Sequence, residues 1–246
     1  MHEPYSLASM GFADRPYARS TASTPTAVGA MRMWSVTTWL IVLNIAVYVV
    51  NVLTDGLLGD WGYFSAATVI GDLQLWRFIT FQFLHANVQH IVFNMISLYF
   101  FGPLIEGYLG PRKYLAFYLL CGIGGAVTYL VLWGVGVLPG GAQTPMVGAS
   151  AGIFGILIAS ARVAPDARVM LLFPPIPLRL RTFAIVMLAI ALWVVFTSGR
   201  NAGGQAAHLG GAAVGALLIW RPGLLNVFDR GFTRRNKGRS PPRDWR

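Results

Sequence analysis

Six apolar segments take up nearly half of this sequence, at residues 34–53, 90–108, 114–138, 146–163, 182–198 and 206–220. A helix that crosses a bilayer needs about 20 mostly apolar residues, so six crossings use about 120. The remainder of a 246-residue chain leaves little for a second, soluble domain. Only 11% of the residues are charged, against about a quarter in soluble domains. With a mean hydropathy of +0.58, that composition excludes a disordered chain and argues against an ordinary soluble enzyme. The expected fold is therefore an all-α membrane protein, a bundle of six transmembrane helices. The fourth and sixth segments are short and rich in glycine. They make sense inside the bundle, where small residues let backbones approach closely.

The cations set the orientation. With the N-terminus inside, the inner segments carry 17 Lys and Arg residues, whereas the outer loops carry only Arg77 and Arg200. That asymmetry puts both termini on the cytoplasmic side. Residues 1–33 form a polar tail without the pattern of a cleavable signal peptide, 34–220 the membrane domain, and 221–246 a basic tail. The net charge of +10 reflects this loop bias and an attraction of the C-terminal tail to anionic lipid, and no nucleic-acid partner is expected. A bacterial plasma membrane is the expected location. The single cysteine, Cys121, lies in an apolar run and reads as a small buried hydrophobe. The first outer loop, residues 54–89, is long and aromatic, which suits a piece lying in the membrane interface.

Polar side chains are costly within a membrane, so each one there raises a functional question. The second segment opens on His85, His90 and Asn94, the fourth on Gly148 and Ser150, and the sixth on His208, Gly211 and Gly215. In the assigned topology these three helices run inward from the outside, which brings Ser150, His208, His90 and Asn94 to one depth. Counting from Pro145 and Gly203, Ser150 and His208 each stand roughly 7–8 Å down their helices. A serine needs a base to become a nucleophile, and the tetrahedral intermediate of acyl transfer needs hydrogen-bond donors for its oxyanion. His90 and Asn94, four apart, share a helix face.

Taken singly, each residue has a plainer role. A serine among glycines is usually packing, an isolated histidine is more often structural, and Gly211–Gly215 is a close-packing pair that would seat the sixth helix on the fourth. Convergence at one depth favours catalysis. No Asp or Glu lies between Glu106 and Asp166, or between Asp166 and Asp229, so a triad has no acid. The expected unit is a Ser150–His208 dyad, its base oriented by packing, with Phe154 one turn beyond Ser150 as a ring face. No metal site or other cofactor is expected, because the three histidines other than His2 lack a nearby carboxylate and the HExxH pattern is absent. A non-catalytic helix-binding protein of the same fold and a proton-coupled transporter are the competing readings.

Four ordered pieces then resemble the rhomboid family of intramembrane serine proteases over residues 35–220: Trp76-Arg77 in the first loop, His90-Ile-Val-Phe-Asn94, Gly148-Ala-Ser150-Ala, and Ala207-His208-Leu-Gly-Gly211-Ala-Ala-Val-Gly215. The resemblance implies a rhomboid-like bundle with a cavity open to the outside. Ser150 would be its nucleophile and His208 its base, with His90, Asn94 and Ser150 forming the oxyanion hole. It further implies that Trp76, Arg77, His85 and Glu106 are structural and that the substrates are transmembrane helices. The fifth helix and residues 199–205 would form the gate. Ala151 and Phe154 depart from the family's frequent Gly and Tyr.

Overall fold

The computed structural model describes residues 34–170 and 175–229. The N-terminal tail and residues 230–246 of the basic tail lie outside the described residues. Six helices form the bundle: α1 (Val36–Leu53), α2 (Val88–Leu109), α3 (Pro111–Gly134), α4 (Ser150–Val163), α5 (Leu180–Phe196) and α6 (Ala202–Trp220). Four of them, α1, α2, α3 and α6, are long and apolar enough to cross a membrane, and α4 and α5 are shorter apolar helices of 14 and 17 residues. The chain is an all-α integral membrane protein.

Helix ends follow local chemistry. Ser35 caps α1 by accepting the Thr38 N–H, and Asn87 caps α2 by accepting the His90 N–H. A tight reversal at Gly110, with φ at +79°, leads into α3, whose first residue is Pro111. Glu106, near the far end of α2, takes the Val36 and Thr37 N–H groups at 2.7 and 2.9 Å and the Thr37 hydroxyl at 2.7 Å. One carboxylate thus satisfies the open N-terminus of α1 and ties it to the end of α2.

α6 packs against α3, α4 and α5, and α1 lies against α2. The α4–α6 contact is backbone on backbone. A Cβ at Gly211 would strike the Ala151 carbonyl, and one at Gly215 would fall 2.5 Å from the Gly155 Cα. Glycine at both positions is what permits this approach.

Several boundaries differ from those the sequence predicts. α4 begins at Ser150 rather than at residue 146, because Gly148 adopts φ +132° and holds the preceding chain extended. Ser150 therefore opens its helix instead of standing a turn and a half along it. α6 begins at Ala202, directly after Asn201 in the left-handed conformation, so part of the expected fifth loop is helix and the sixth segment is not short. The short helices are the fourth, as expected, and the fifth. Loop 4 contains a small hairpin, β1 (Arg168–Met170) antiparallel to β2 (Pro177–Arg179). Residues Pro222–Phe228 form a 3₁₀ helix packed against α3 and α6 with Leu225 buried, and Asp229 pairs with Lys113 at 2.8 Å.

The first loop packs inward. Phe64 and Phe81 are buried in a core with Tyr129 and Met146, while Leu57, Trp61, Ile70 and Leu73 remain exposed as an apolar outer surface. Phe64 and Met146 exchange two backbone hydrogen bonds, and the Gly148 N–H donates to the Phe81 carbonyl. The loop is thereby bound to the extended segment just before Ser150.

Candidate active site

Ser150 stands at the first position of α4, so its backbone N–H lies ahead of that helix's own hydrogen-bond ladder, at the positive end of the dipole. His208 stands two turns into α6. The glycine contact between the helices brings the two side chains together, and Ser150 Oγ lies 2.7 Å from His208 Nε2. Phe154, on the same face of α4 as Ser150, stacks on the imidazole with ring centroids 4.2 Å apart and planes 12° from parallel.

His90 and Asn94 enter from α2. The Ala86 N–H points at His90 Nδ1 at 3.4 Å, which leaves Nε2 as the protonated, donating nitrogen. That edge of the ring faces Gly148, where a Cβ would fall 2.8 Å from Nε2 and 3.5 Å from Ser150 Oγ. Glycine at 148 keeps this space clear. Asn94 is buried, and its Nδ2 has no hydrogen-bond partner among the described residues. An unpaired buried amide donor is uncommon in folded proteins and requires a reason. Both residues line a cavity of about 740 Å³ that also exposes Ser150, Phe154 and His208. Phe93 and Ser97 of α2 and Phe183 and Met187 of α5 also line it.

The remaining predicted positions lie outside this cavity. His85 is buried beside His90, edge-on at 5.1 Å, and burial lowers its pKa to about 4, which keeps the ring neutral. Arg77 is the one buried charged residue among those described. Its guanidinium donates to the Asp60 and Tyr63 carbonyls and to the Gln74 side chain, and it lies 4.7 Å from the Tyr63 ring centroid. Trp76 donates to the Trp61 carbonyl at 3.2 Å and stacks on the Trp61 ring. Trp76 and Arg77 hold the first loop together.

Compared with known families, residues 72–223 match the model of the Rhomboid domain. The chain belongs to the rhomboid family. This rhomboid is 35% identical to RHOMBOID-like protein 12, mitochondrial, of Arabidopsis thaliana, over 58% of its own length and 45% of the relative's. It is 30% identical to Rhomboid protease AarA of Providencia stuartii, over 71% and 60% of the two chains. Against Rhomboid-like protein 11, chloroplastic, of Arabidopsis thaliana it is 32% identical over 77% and 65%. It therefore spans less than two thirds of the length of each of these relatives.

One residue of the rhomboid's site escapes the sequence reading. Gln205 Oε1 lies 2.9 Å from His208 Nδ1, on the side of the ring away from Ser150. Read as the end of a loop, Gln205 has no evident part in the site. Read as one helical turn before His208, its spacing of three residues puts it on the same face.

Proposed function

We propose that this rhomboid is an intramembrane serine endopeptidase that cuts peptide bonds in or near transmembrane helices. The observation that carries the reading is the 2.7 Å contact between Ser150 Oγ and His208 Nε2, on the wall of a cavity that Asn94 and His90 also line. Names of relatives such as Rhomboid protease AarA support the activity class.

In this reading His208 Nε2 takes the Ser150 proton as Oγ attacks the scissile carbonyl. The oxyanion that forms is met by Asn94 Nδ2–H, His90 Nε2–H and the Ser150 backbone N–H. His208 then passes its proton to the leaving amine, and the C-terminal fragment departs. Water, deprotonated by the same imidazole, attacks the acyl-enzyme. Its collapse releases the new carboxyl terminus and returns the proton to Ser150. A substrate helix must unwind locally, because its intact backbone bonds cover the carbonyl under attack. Residues 199–201 and α5, which contributes Phe183 and Met187 to the cavity, form the gate through which the unwound segment enters.

The tails complete the proposal. The loop asymmetry supports cytoplasmic termini in a bacterial plasma membrane, with the basic C-terminal residues held near anionic lipid. Relatives named mitochondrial and chloroplastic support an organellar membrane as the second reading.

The test is labelling of the purified protein with a fluorescent fluorophosphonate, beside Ser150→Ala and His208→Ala. Labelling of the wild type alone supports an activated serine. Equal labelling of Ser150→Ala, or none of a folded wild type, overturns the proposal and returns Ser150 to a packing role.

A further inference from the structure

The geometry points to Gln205 as a positioning residue of the active site: a neutral third member that fixes the tautomer and in-plane orientation of His208. The inference rests on the protease reading above and deepens it.

A serine–histidine pair works in only one of the two neutral imidazole tautomers. Nε2 must present a lone pair to the serine hydroxyl, so the ring proton must sit on Nδ1. Stacking cannot select between the tautomers. The Phe154 ring holds the plane of the imidazole but is indifferent to which nitrogen carries hydrogen. A hydrogen-bond acceptor at Nδ1 does select, and Gln205 Oε1 stands there at 2.9 Å. An amide oxygen can only accept, so Nδ1 is the donor and Nε2 faces Ser150 with its lone pair. With Nε2 fixed at Ser150 and Nδ1 at Gln205, the ring cannot turn within its plane.

The local helix geometry makes this arrangement available. Side chains on a helix lean back over the preceding turn, so the His208 ring comes to lie above the residue three positions earlier. Gln205 is inside α6 because the helix begins at Ala202. In a triad a carboxylate would occupy this place. Here the sequence has no Asp or Glu between Asp166 and Asp229 to do so. A neutral amide sets the tautomer while adding no negative charge to a site within the membrane, where such a charge is costly. The titratable groups that face His208 across the cavity are His90 of α2, Tyr129 of α3 and Ser150 of α4, and α5 brings only Phe183 and Met187. None of these substitutes for an acceptor at Nδ1.

The experiment measures the second-order rate of fluorophosphonate labelling against pH for the full-length wild type, Gln205→Leu and Gln205→Glu, with Ser150→Ala as the blank and thermal unfolding as a check on folding. Leucine keeps the bulk and removes the acceptor, so the plateau rate should fall about 10-fold or more with the unfolding temperature unchanged. Glutamate keeps an acceptor of the same shape and restores the plateau. Its charge favours the imidazolium, so the acid limb of the profile should move about one pH unit or more upward. A residue with a merely structural role would give no such shift. Wild-type rates in Gln205→Leu, or an acid limb unmoved in Gln205→Glu, overturn the assignment of Gln205 while labelling of the wild type leaves the protease reading standing. A folded wild type that does not label overturns both.

Discussion

Phe154 lies flat on the imidazole of His208, one ring 4.2 Å above the other. The contact joins α4 to α6 beside the Ser150–His208 pair, so the Phe154 ring supports the plane of the imidazole and also packs the two helices. Such pairs add about 0.5–1.5 kcal/mol beyond the area they bury. In Phe154→Leu the volume is largely kept and the flat support is lost. The labelling rate should fall by about 2- to 10-fold, the rate equivalent of that energy. In Phe154→Tyr it should stay near wild type. A Leu variant as fast as the parent would show that packing elsewhere holds the imidazole.

Asn94 offers a sharper separation of activity from stability. Its Nδ2 makes no hydrogen bond among the described residues, so truncation removes no internal bond from that atom. Asn94→Ala should reduce turnover about 10²–10³-fold, the usual cost of losing one oxyanion donor. Its unfolding temperature in detergent should stay close to wild type. Loss of folding together with activity would assign Asn94 a structural role instead.

Gly211→Ala tests the helix contact that brings Ser150 and His208 together. The added methyl group meets the Ala151 carbonyl, which belongs to a helix backbone and has little room to retreat. Overpacking of this kind costs about 1–3 kcal/mol. Separation of α4 from α6 also parts Ser150 from His208. Both the unfolding temperature and the labelling rate should drop, although the Cβ of an alanine at 211 would meet the Ala151 backbone and not the side chains of Ser150 or His208. Unfolding and labelling at wild-type levels would contradict the backbone contact.

Arg77 gives a prediction about chemistry rather than charge. Its planar guanidinium serves three acceptors at once and rests on Tyr63. Lysine carries the same charge as a point and cannot reach all three. Arg77→Lys should therefore lose most of the stability that Arg77→Ala loses, about 1–2 kcal/mol for part-buried acceptors left to water or unpaired. Thermal unfolding of the two variants side by side decides this, and full rescue by lysine would mean that charge alone matters.

The six helices were legible because lipid demands long apolar runs. The pieces around Ser150 and His208 were legible because polar groups are scarce in such runs. What was missed depends on backbone conformation. Nothing in hydropathy distinguishes Met146–Val147, which are extended, from Ser150–Ala151, which are helical; the change lies in the φ angle of Gly148. The same holds at Asn201, whose left-handed turn starts α6 early and carries Gln205 into the helix. The expectation that packing alone orients His208 was incomplete for that reason: the Phe154 contact is present, and so is a polar one from a residue assigned to a loop. The hairpin in loop 4 has strands of three residues each, too short to produce a periodic pattern.

The backbone bonds from Phe64 and Phe81 to Met146 and Gly148 have a practical consequence for protein engineering. They make the first loop and the approach to Ser150 a single graftable cassette, although 84 positions of sequence separate the outermost members, Phe64 and Gly148. A chimaera that exchanges the first loop with that of a relative, and leaves residues 142–148 behind, would set one half of a paired ribbon against a foreign edge. Exchanging both together keeps the register. Recombination between rhomboids should therefore succeed at crossover points that transfer the two segments jointly, and fail at points that fall between them.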